Sequence, residues 1–430
     1  MRRLILITLG LLGGALATPI TLDAALQVPT SATRTAALKL QRAELTYQKA
    51  LVQVQPSVSL SGNLNLTGHF DSKTDTTSGT LSGKASWDVA PWANAPLNLQ
   101  SAERALQQAR WDAQTALGQA KVQVMEQYFQ VETAREQVDA ARLQLQQAEL
   151  ALQTAEKRLL LGQATRDTLE NARLNVLKAQ NTLKSSQGTL QGALQSLSLL
   201  LGRDVQDGDT LTPDLSLPAF AGPEVLLRKA DQHPNVQKAK LSLQDSEDAI
   251  AAQQLQSALP DLTVTGKFGQ LSGGWNVSTD FALKSGSVGM SASYPVGSSG
   301  TGGLGYSVGV QLNVPLDPTR PYTLQNLMAQ RDLQLLAVED ALNTVKQDIT
   351  TQYHSYLQRV QQVEEGTLQV RHAGQGLEIQ QKRLSLGLIT PAELLDAEIR
   401  LQSARFNLVQ ARRNAYLQAF KLRLATGESL

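Results

Sequence analysis

Long stretches of the chain place apolar residues three and four positions apart, and shorter stretches place them at every second position. The first spacing predicts helices that pack along a seam. It runs through Leu169, Ala172, Val176, Ala179, Leu183, Ser186, Leu190, Ala193 and Leu197, and again through Leu394, Ala397, Leu401, Ala404, Leu408, Ala411, Ala415, Gln418 and Leu422, with Ser186 and Gln418 as its polar members. A longer arm precedes each line. The first passes through Ala102, Leu106, Ala109, Val124, Val131, Val138, Leu145, Leu152 and Leu159. At about 1.5 Å per residue such an arm is roughly 90 to 100 Å long, which no ordinary globular domain needs. Ala140, Leu143, Leu150 and Ala151 widen its apolar stripe, so it meets neighbours on two sides, as helices in a ring do.

The two helical lines are copies of each other. A constant shift superimposes 94–202 on 319–427 without a gap. Lys157-Arg158-Leu159 recurs as Lys382-Arg383-Leu384, Leu161-Gly162 as Leu386-Gly387, Thr165 as Thr390, and Gly202 as Gly427. Each copy predicts a long helix, a tight turn at Gly162 or Gly387, and a shorter helix returning beside the first.

Upstream of each arm the period changes to two. Val58, Leu60, Leu64 and Leu66 alternate with Ser57, Ser59, Asn63 and Asn65; Leu262, Val264 and Phe268 alternate with Asp261, Thr263 and Lys267. The returning segments do the same through Leu81, Ala85, Trp87 and Val89, and through Val308, Val310, Leu312 and Val314. Four strands follow, at about 57–67, 80–90, 261–269 and 304–315. Their length and alternation suit a membrane β-barrel, with apolar residues toward lipid and polar ones toward the lumen. A two-faced sheet in a soluble domain would alternate in the same way; the giant helices beside these strands favour the membrane. Four strands cannot close a barrel, so several chains must share one. The connection at 270–303 is some twenty residues longer than its counterpart and rich in Gly and Ser, which reads as a larger extracellular loop. Val288, Met290, Ala292 and Tyr294 alternate within it, as if the strands extended outward. Helices at about 21–55 and 223–259 complete the two halves, and 203–222 links them.

Composition adds exclusions. Aromatics are 4% of the chain and the formal net charge is +1, so nothing points to nucleic acid as a partner. Arg2 and Arg3, the apolar run Leu4 to Leu12 and Ala15-Leu16-Ala17 read as a cleaved export signal over 1–17, which leaves halves 18–222 and 223–430. The absence of cysteine excludes disulfides, thiolate metal sites and a lipid-modified N-terminal cysteine. His69, His233, His354 and His372 are scattered without metal-ligand spacing. There is no phosphate-cradling Gly-rich loop and no Gly-x-Ser-x-Gly elbow. No catalytic residue, metal or cofactor is expected.

The order of signal, helix, strand pair and long helical hairpin, repeated once, resembles the TolC-type outer-membrane factors over essentially the whole mature chain. Leu386-Gly387-Leu388-Ile389-Thr390-Pro391-Ala392-Glu393-Leu394-Leu395-Asp396-Ala397 and His233-Pro234-Asn235 carry the resemblance most clearly. It implies a mainly α fold with a membrane β-barrel portion, and a homotrimer whose twelve strands form one barrel and whose twelve helical strands form a periplasmic tunnel. The implied function is a passive exit duct for a tripartite efflux pump of small molecules. A periplasmic adaptor (membrane fusion) protein would open it, an inner-membrane transporter would supply energy, and outer-membrane lipid would surround the barrel. An exit duct for type I protein secretion is the alternative within that class. A periplasmic adaptor or a coiled-coil envelope scaffold is the rival outside it, although an adaptor would carry one hairpin rather than two in register.

By the same resemblance, the adaptor docks at the tips, onto Leu161, Gly162, Gln163, Ala164 and Thr165 and onto Leu386, Gly387, Leu388, Ile389 and Thr390. Glu393 and Asp396 would ring the tunnel entrance; acidic residues also suit the positive end of a helix on their own account. Thr168 and Leu388 stand where the family prototype has an ion pair that locks the closed state, so that lock is missing here.

Overall fold

A computed structural model describes residues 21–67, 76–206, 215–270, 274–296, 303–314 and 319–428. The expected export signal at 1–17 lies outside the described residues, as do 207–214 of the expected link. In chain order the elements are α1 (Leu22–Leu26), α2 (Ser31–Gln53), β1 (Ser57–Thr67), β2 (Thr76–Asp88), α3 (Asn94–Leu160), α4 (Arg166–Leu201), α5 (Pro223–Leu227) and α6 (Pro234–Ala258). They continue with β3 (Asp261–Gln270), β4 (Asn276–Ala282), β5 (Ser287–Val296), β6 (Leu304–Asn313), α7 (Arg320–Ser385) and α8 (Pro391–Ala425).

The helices expected at 21–55 and 223–259 are each interrupted. Pro29 separates α1 from α2. A 3₁₀ turn at Arg228–Gln232 separates α5 from α6, which restarts with His233 as its N-cap and Pro234 in its first turn. A proline has no N–H for the preceding turn and disfavours helical geometry in the residue before it, so both breaks follow from the sequence.

The chain forms two compact units that cut across the repeats. One gathers described residues of 21–35, 115–230 and 346–428. Its core sets Val124, Met125, Tyr128 and Val131 of α3 against Leu190, Leu194 and Leu197 of α4, with Leu22 and Ala25 of α1 closing one side. Tyr416, Leu417 and Phe420 of α8 pack on this cluster, and Phe129 meets Tyr416 edge to face at 6.4 Å. The equivalent positions of the second copy are buried as well: Ile349 for Val124, Ala415 for Leu190, Ala419 for Leu194 and Leu422 for Leu197. Each large apolar side chain buried in this way contributes about 1.5–3 kcal/mol, so both hairpins are held by the same few positions.

Among the described residues, the other unit, within 36–114 and 231–345, contains one antiparallel sheet of six strands in the order β1-β2-β5-β4-β3-β6. The sequence pattern predicts only four. The extra two, β4 and β5, occupy the segment that reads from the sequence as a long outward loop. The alternation at Val288 to Tyr294 belongs to a strand that pairs with β2 on one side and β4 on the other. In the same unit, Arg104 of α3 reaches both Asp245 and Asp248 of α6, and Lys238 of α6 reaches Asp112.

Candidate functional site

The tips of the two hairpins are built alike. α3 ends in a Schellman turn: Gly162 N–H donates to Leu159 O (3.0 Å) and Gln163 N–H to Arg158 O (2.8 Å), with Gly162 left-handed at φ 65°. α7 repeats it, with Gly387 N–H to Leu384 O (2.9 Å), Leu388 N–H to Arg383 O (2.9 Å) and Gly387 at φ 69°. Only glycine adopts this conformation without steric cost, which is why it recurs at both corners. Each returning helix then begins on a threonine N-cap. Thr165 Oγ1 accepts from Thr168 N–H (3.2 Å), and Thr390 Oγ1 accepts from Glu393 N–H (3.4 Å).

The residues expected at the tips thus fall on two equivalent corners. Leu161, Leu386 and Leu388 are 71%, 72% and 69% exposed; Gln163, Thr165 and Thr390 are exposed, and Ala164 and Ile389 are half-buried. Leucines this exposed on a tightly defined turn present apolar surface that the described residues do not cover.

Glu393 and Asp396 have partners within the chain. Thr390 N–H (2.7 Å) and then its hydroxyl (3.0 Å) donate to Glu393 Oε2, completing a reciprocal capping box. The same two bonds hold the Glu393 carboxyl below the usual carboxylate range. Asp396 Oδ1 accepts from Gln147 Nε2 of α3 at 2.6 Å. Thr168, at one position of the missing ion pair, exchanges a hydroxyl contact of 2.9 Å with Thr165. Neighbouring Asp167 accepts from Asn171 on its own helix at 3.4 Å.

A polar cluster that the spacing did not reveal lies deeper in this unit. Arg413 of α8 bridges Glu132 (3.0 Å) and Glu136 (2.9 Å) of α3, and the Arg413 and Glu132 side chains are each only 7% exposed. Burial pushes the Glu132 carboxyl up to about 7 against the pull of Arg413. The partners lie in different halves of the chain, and nothing local in either helix marks them as a pair.

Within its own unit, the sheet has one largely apolar face and one largely polar face. Register places Leu60, Leu81, Met290, Val277, Val264 and Val308 on one side and Ser59, Lys84, Ser291, Ser278, Thr265 and Ser307 on the other. The apolar side is exposed: Val58, Leu60, Leu64, Tyr306, Val308 and Val310 are among its most open residues. Aromatic residues gather at its two ends. Trp87 and Trp92 stand at the end nearest the start of α3, where their indole N–H groups donate to Val54 O (2.9 Å) and Leu283 O (3.2 Å). Phe268, Trp275, Tyr294 and Tyr306 stand at the other. An apolar band bounded by two aromatic girdles is the pattern of a barrel wall in lipid. Among the described residues no helix is long and apolar enough to cross a membrane.

An amphipathic sheet whose edges are bare among the described residues, in a chain that also carries a helical hairpin in two copies, defines a protein that crosses a membrane by strands. The outer membrane efflux protein family matches residues 31–203 and 226–428, and the chain belongs to that family. Solved structures share the fold. The outer membrane protein VceC of Vibrio cholerae is 16% identical, with 95% of each chain covered and a TM-score of 0.67. The CmeC outer membrane channel of Campylobacter jejuni is 13% identical, with 94% of this chain and 84% of that chain covered and a TM-score of 0.69. For the MtrE outer membrane channel of Neisseria gonorrhoeae in its open state the values are 18%, 95%, 88% and 0.67. No curated protein matches the chain. The protein is an outer-membrane efflux channel component, and its family is one of transport channels rather than enzymes.

Proposed function

We propose that three copies of this chain form the exit duct of a tripartite efflux pump for small molecules. The duct is passive. An inner-membrane transporter supplies the energy, and a periplasmic adaptor docks on the tips at Leu161 to Thr165 and Leu386 to Thr390. The observation that carries this reading is the pair of matched Schellman corners with Leu161, Leu386 and Leu388 left open to solvent. An adaptor helix that covers those leucines gains the free energy of their burial, about 1.5–3 kcal/mol for each one fully covered. Opening is then a repacking of the helices at the tips, driven by the partner's preference for the splayed arrangement.

Glu393 and Asp396 line the entrance in this reading. Three copies of each concentrate negative charge at a narrow opening and favour cations there. Planar-bilayer conductance of the detergent-extracted protein tests both parts, comparing the wild type with a Glu393→Ala, Asp396→Ala double variant. The expected result is a long-lived pore whose cation preference falls in the variant. Unchanged selectivity would remove the entrance role and keep the channel. No pore, together with recovery as a soluble periplasmic protein, would remove the duct itself.

A further inference from the structure

The two halves of the repeat differ in the distance from first strand to long helix. In the first half that stretch runs from Pro56, which introduces β1, to Asn94; in the second it runs from Pro260, which introduces β3, to Thr319, the position equivalent to Asn94. The second stretch is longer, and the extra hairpin accounts for the whole of the difference: the span from Asn276 at the start of β4 to Val296 at the end of β5 equals it residue for residue. β1–β2 and β3–β6 are the duplicated pairs, and β4–β5 is an insertion that lies in the sheet between β2 and β3.

This insertion is wall rather than loop. Its turn, Leu283 to Gly286, lies at the end of the sheet where α3 begins: Val89 and Ala90 N–H both donate to Gly286 O (2.9 and 3.0 Å). Gly286 has φ 64°, and a Cβ there would collide with that of Ala90, so the turn is fitted to its place. Pairing with β3 runs beyond β4 proper, through Gln270 N–H to Trp275 O (2.8 Å) and Leu283 N–H to Leu262 O (2.9 Å). The paired stretch 275–283 is nine residues long, enough for a tilted strand to cross a bilayer. Val277, Phe281, Met290 and Ala292 continue the apolar face, while Ser278, Asp280, Ser291 and Ser293 continue the polar one. A short turn at one end and longer connections at the other is the arrangement of outer-membrane barrels, whose short turns face the periplasm.

Resting on the trimeric channel reading, we propose that the barrel of this protein closes with eighteen strands, six from each copy, in place of the twelve that its family resemblance implies. The occupant of each bare edge is a second copy of the chain. β1 is paired only with β2, and β6 only with β3, among the described residues. In a sheet of six antiparallel strands the two edge strands run in opposite directions, so β6 of one copy meets β1 of the next antiparallel, and the ring closes without a parallel junction. Lipid-exposed edges do not persist in a membrane, which makes closure obligatory. Barrel diameter grows roughly linearly with strand number, so the ring is about 1.5 times as wide as a twelve-stranded one. Barrels of about 16–18 strands hold an aqueous channel. The outer-membrane part is then no constriction for bulky solutes, and selection by size falls to the tips.

The chain has no native cysteine, so single cysteines report cleanly. The full-length trimer in lipid vesicles would be treated with a membrane-impermeant maleimide after substitution at Met290 and Ala292, or at Ser291 and Ser293, of β5. Leu60 and Ser61 of β1 serve as the internal reference. The expected outcome is alternation on both strands, with Ser61, Ser291 and Ser293 labelled and Leu60, Met290 and Ala292 protected. Alternation on β1 with uniform labelling on β5 would overturn the eighteen-stranded ring and leave the channel standing. Uniform labelling on both strands would overturn the membrane-channel reading and this inference with it. Electron microscopy of the barrel cross-section provides the second readout: eighteen strands in the wild type, and twelve in a variant lacking 276–296, is expected. Twelve in the wild type would refute the proposal even if the deletion variant fails to assemble.

Discussion

At the first hairpin tip the returning helix starts on Thr165, whose hydroxyl accepts one backbone N–H and touches the hydroxyl of Thr168. At the second, Thr390 and Glu393 cap each other reciprocally through backbone and side chain. The backbone path is common to both, because both have glycine at the left-handed position and threonine at the cap. What differs is the residue three past the cap, Thr168 at the first tip and Glu393 at the second, so that only at the second does the first-turn carboxylate bond back to the cap. Glu393 is kept ionised by the bonds that start its helix, so a negative group is present at the second tip for a local structural reason, and any action on passing ions uses a charge already in place. The same contrast recurs deeper in the unit. Leu197 and Leu422 are equivalent and both fully buried, yet Arg413, which bridges two carboxylates, has Gly188 as its copy. The apolar seam is duplicated, and the Arg413 cluster set on it is not.

Removing Arg413 should break that asymmetry with the largest effect. Arg413→Ala leaves the buried Glu132 without the cation that bridges it, a change that typically costs about 3–5 kcal/mol. At the copied position, Gly188→Ala should stabilise by up to about 1 kcal/mol, since a Cβ there meets nothing within 4 Å and alanine favours the helix. Thermal denaturation of the detergent-extracted protein would measure both. The pH dependence carries a definite sign. Because the folded-state value for Glu132 is raised to about 7, the native chain takes up this proton before the unfolded chain does. Its contribution to stability is complete below the ordinary carboxylate range and is lost as pH rises toward 7. In Arg413→Ala the opposing cation is gone, so the defect should be greatest above neutral pH and should ease on acidification. A loss of equal size at acid and alkaline pH would show that Glu132 does not carry the penalty.

The duplicated seam predicts equality where the polar groups predict difference. Leu197→Ala and Leu422→Ala each empty a fully buried position and should each cost about 2–5 kcal/mol. Melting temperatures that fall together would support a common packing role. A much smaller loss at one site would mean that its surroundings collapse into the gap, and that the two hairpins are less alike than their register suggests.

The sequence shows the duplicated features plainly and the singular ones poorly. The helical hairpins and the β1–β2 and β3–β6 pairs are legible because each is written twice, once in its period and once in its copy. β4 escapes for physical reasons. Its apolar face offers only Val277, Thr279 and Phe281, and Gly273, Gly274 and the Ser-rich stretch after it are turn-forming residue types. β5 alternates visibly, but without a recognised partner strand its alternation reads as an outward extension. The tips are legible as Gly-x-x-Thr corners, and the Thr-x-x-Glu spacing announces the capping box. The Arg413 cluster and the Gln147–Asp396 bond join residues from opposite halves of the sequence, and neither helix differs locally from a solvated one.

The finest test of the comparison lies in the caps. Thr165→Ala removes one acceptor from the start of α4, a loss of about 1 kcal/mol for a typical cap, whereas Thr390→Ala also removes a donor to Glu393 and leaves that carboxylate with the backbone N–H alone. The second variant should therefore loosen its tip more than the first. Hydrogen exchange at the amides of the first turns of α4 and α8 reads this directly, because the loss is local and barely moves global unfolding. Glu393→Gln separates charge from capping: glutamine keeps the reciprocal geometry, so exchange at α8 should rise only slightly. If Thr165→Ala loosened its tip as much as Thr390→Ala, the second half of the box would be adding nothing, and Glu393 would need a reason for being there other than the helix it begins.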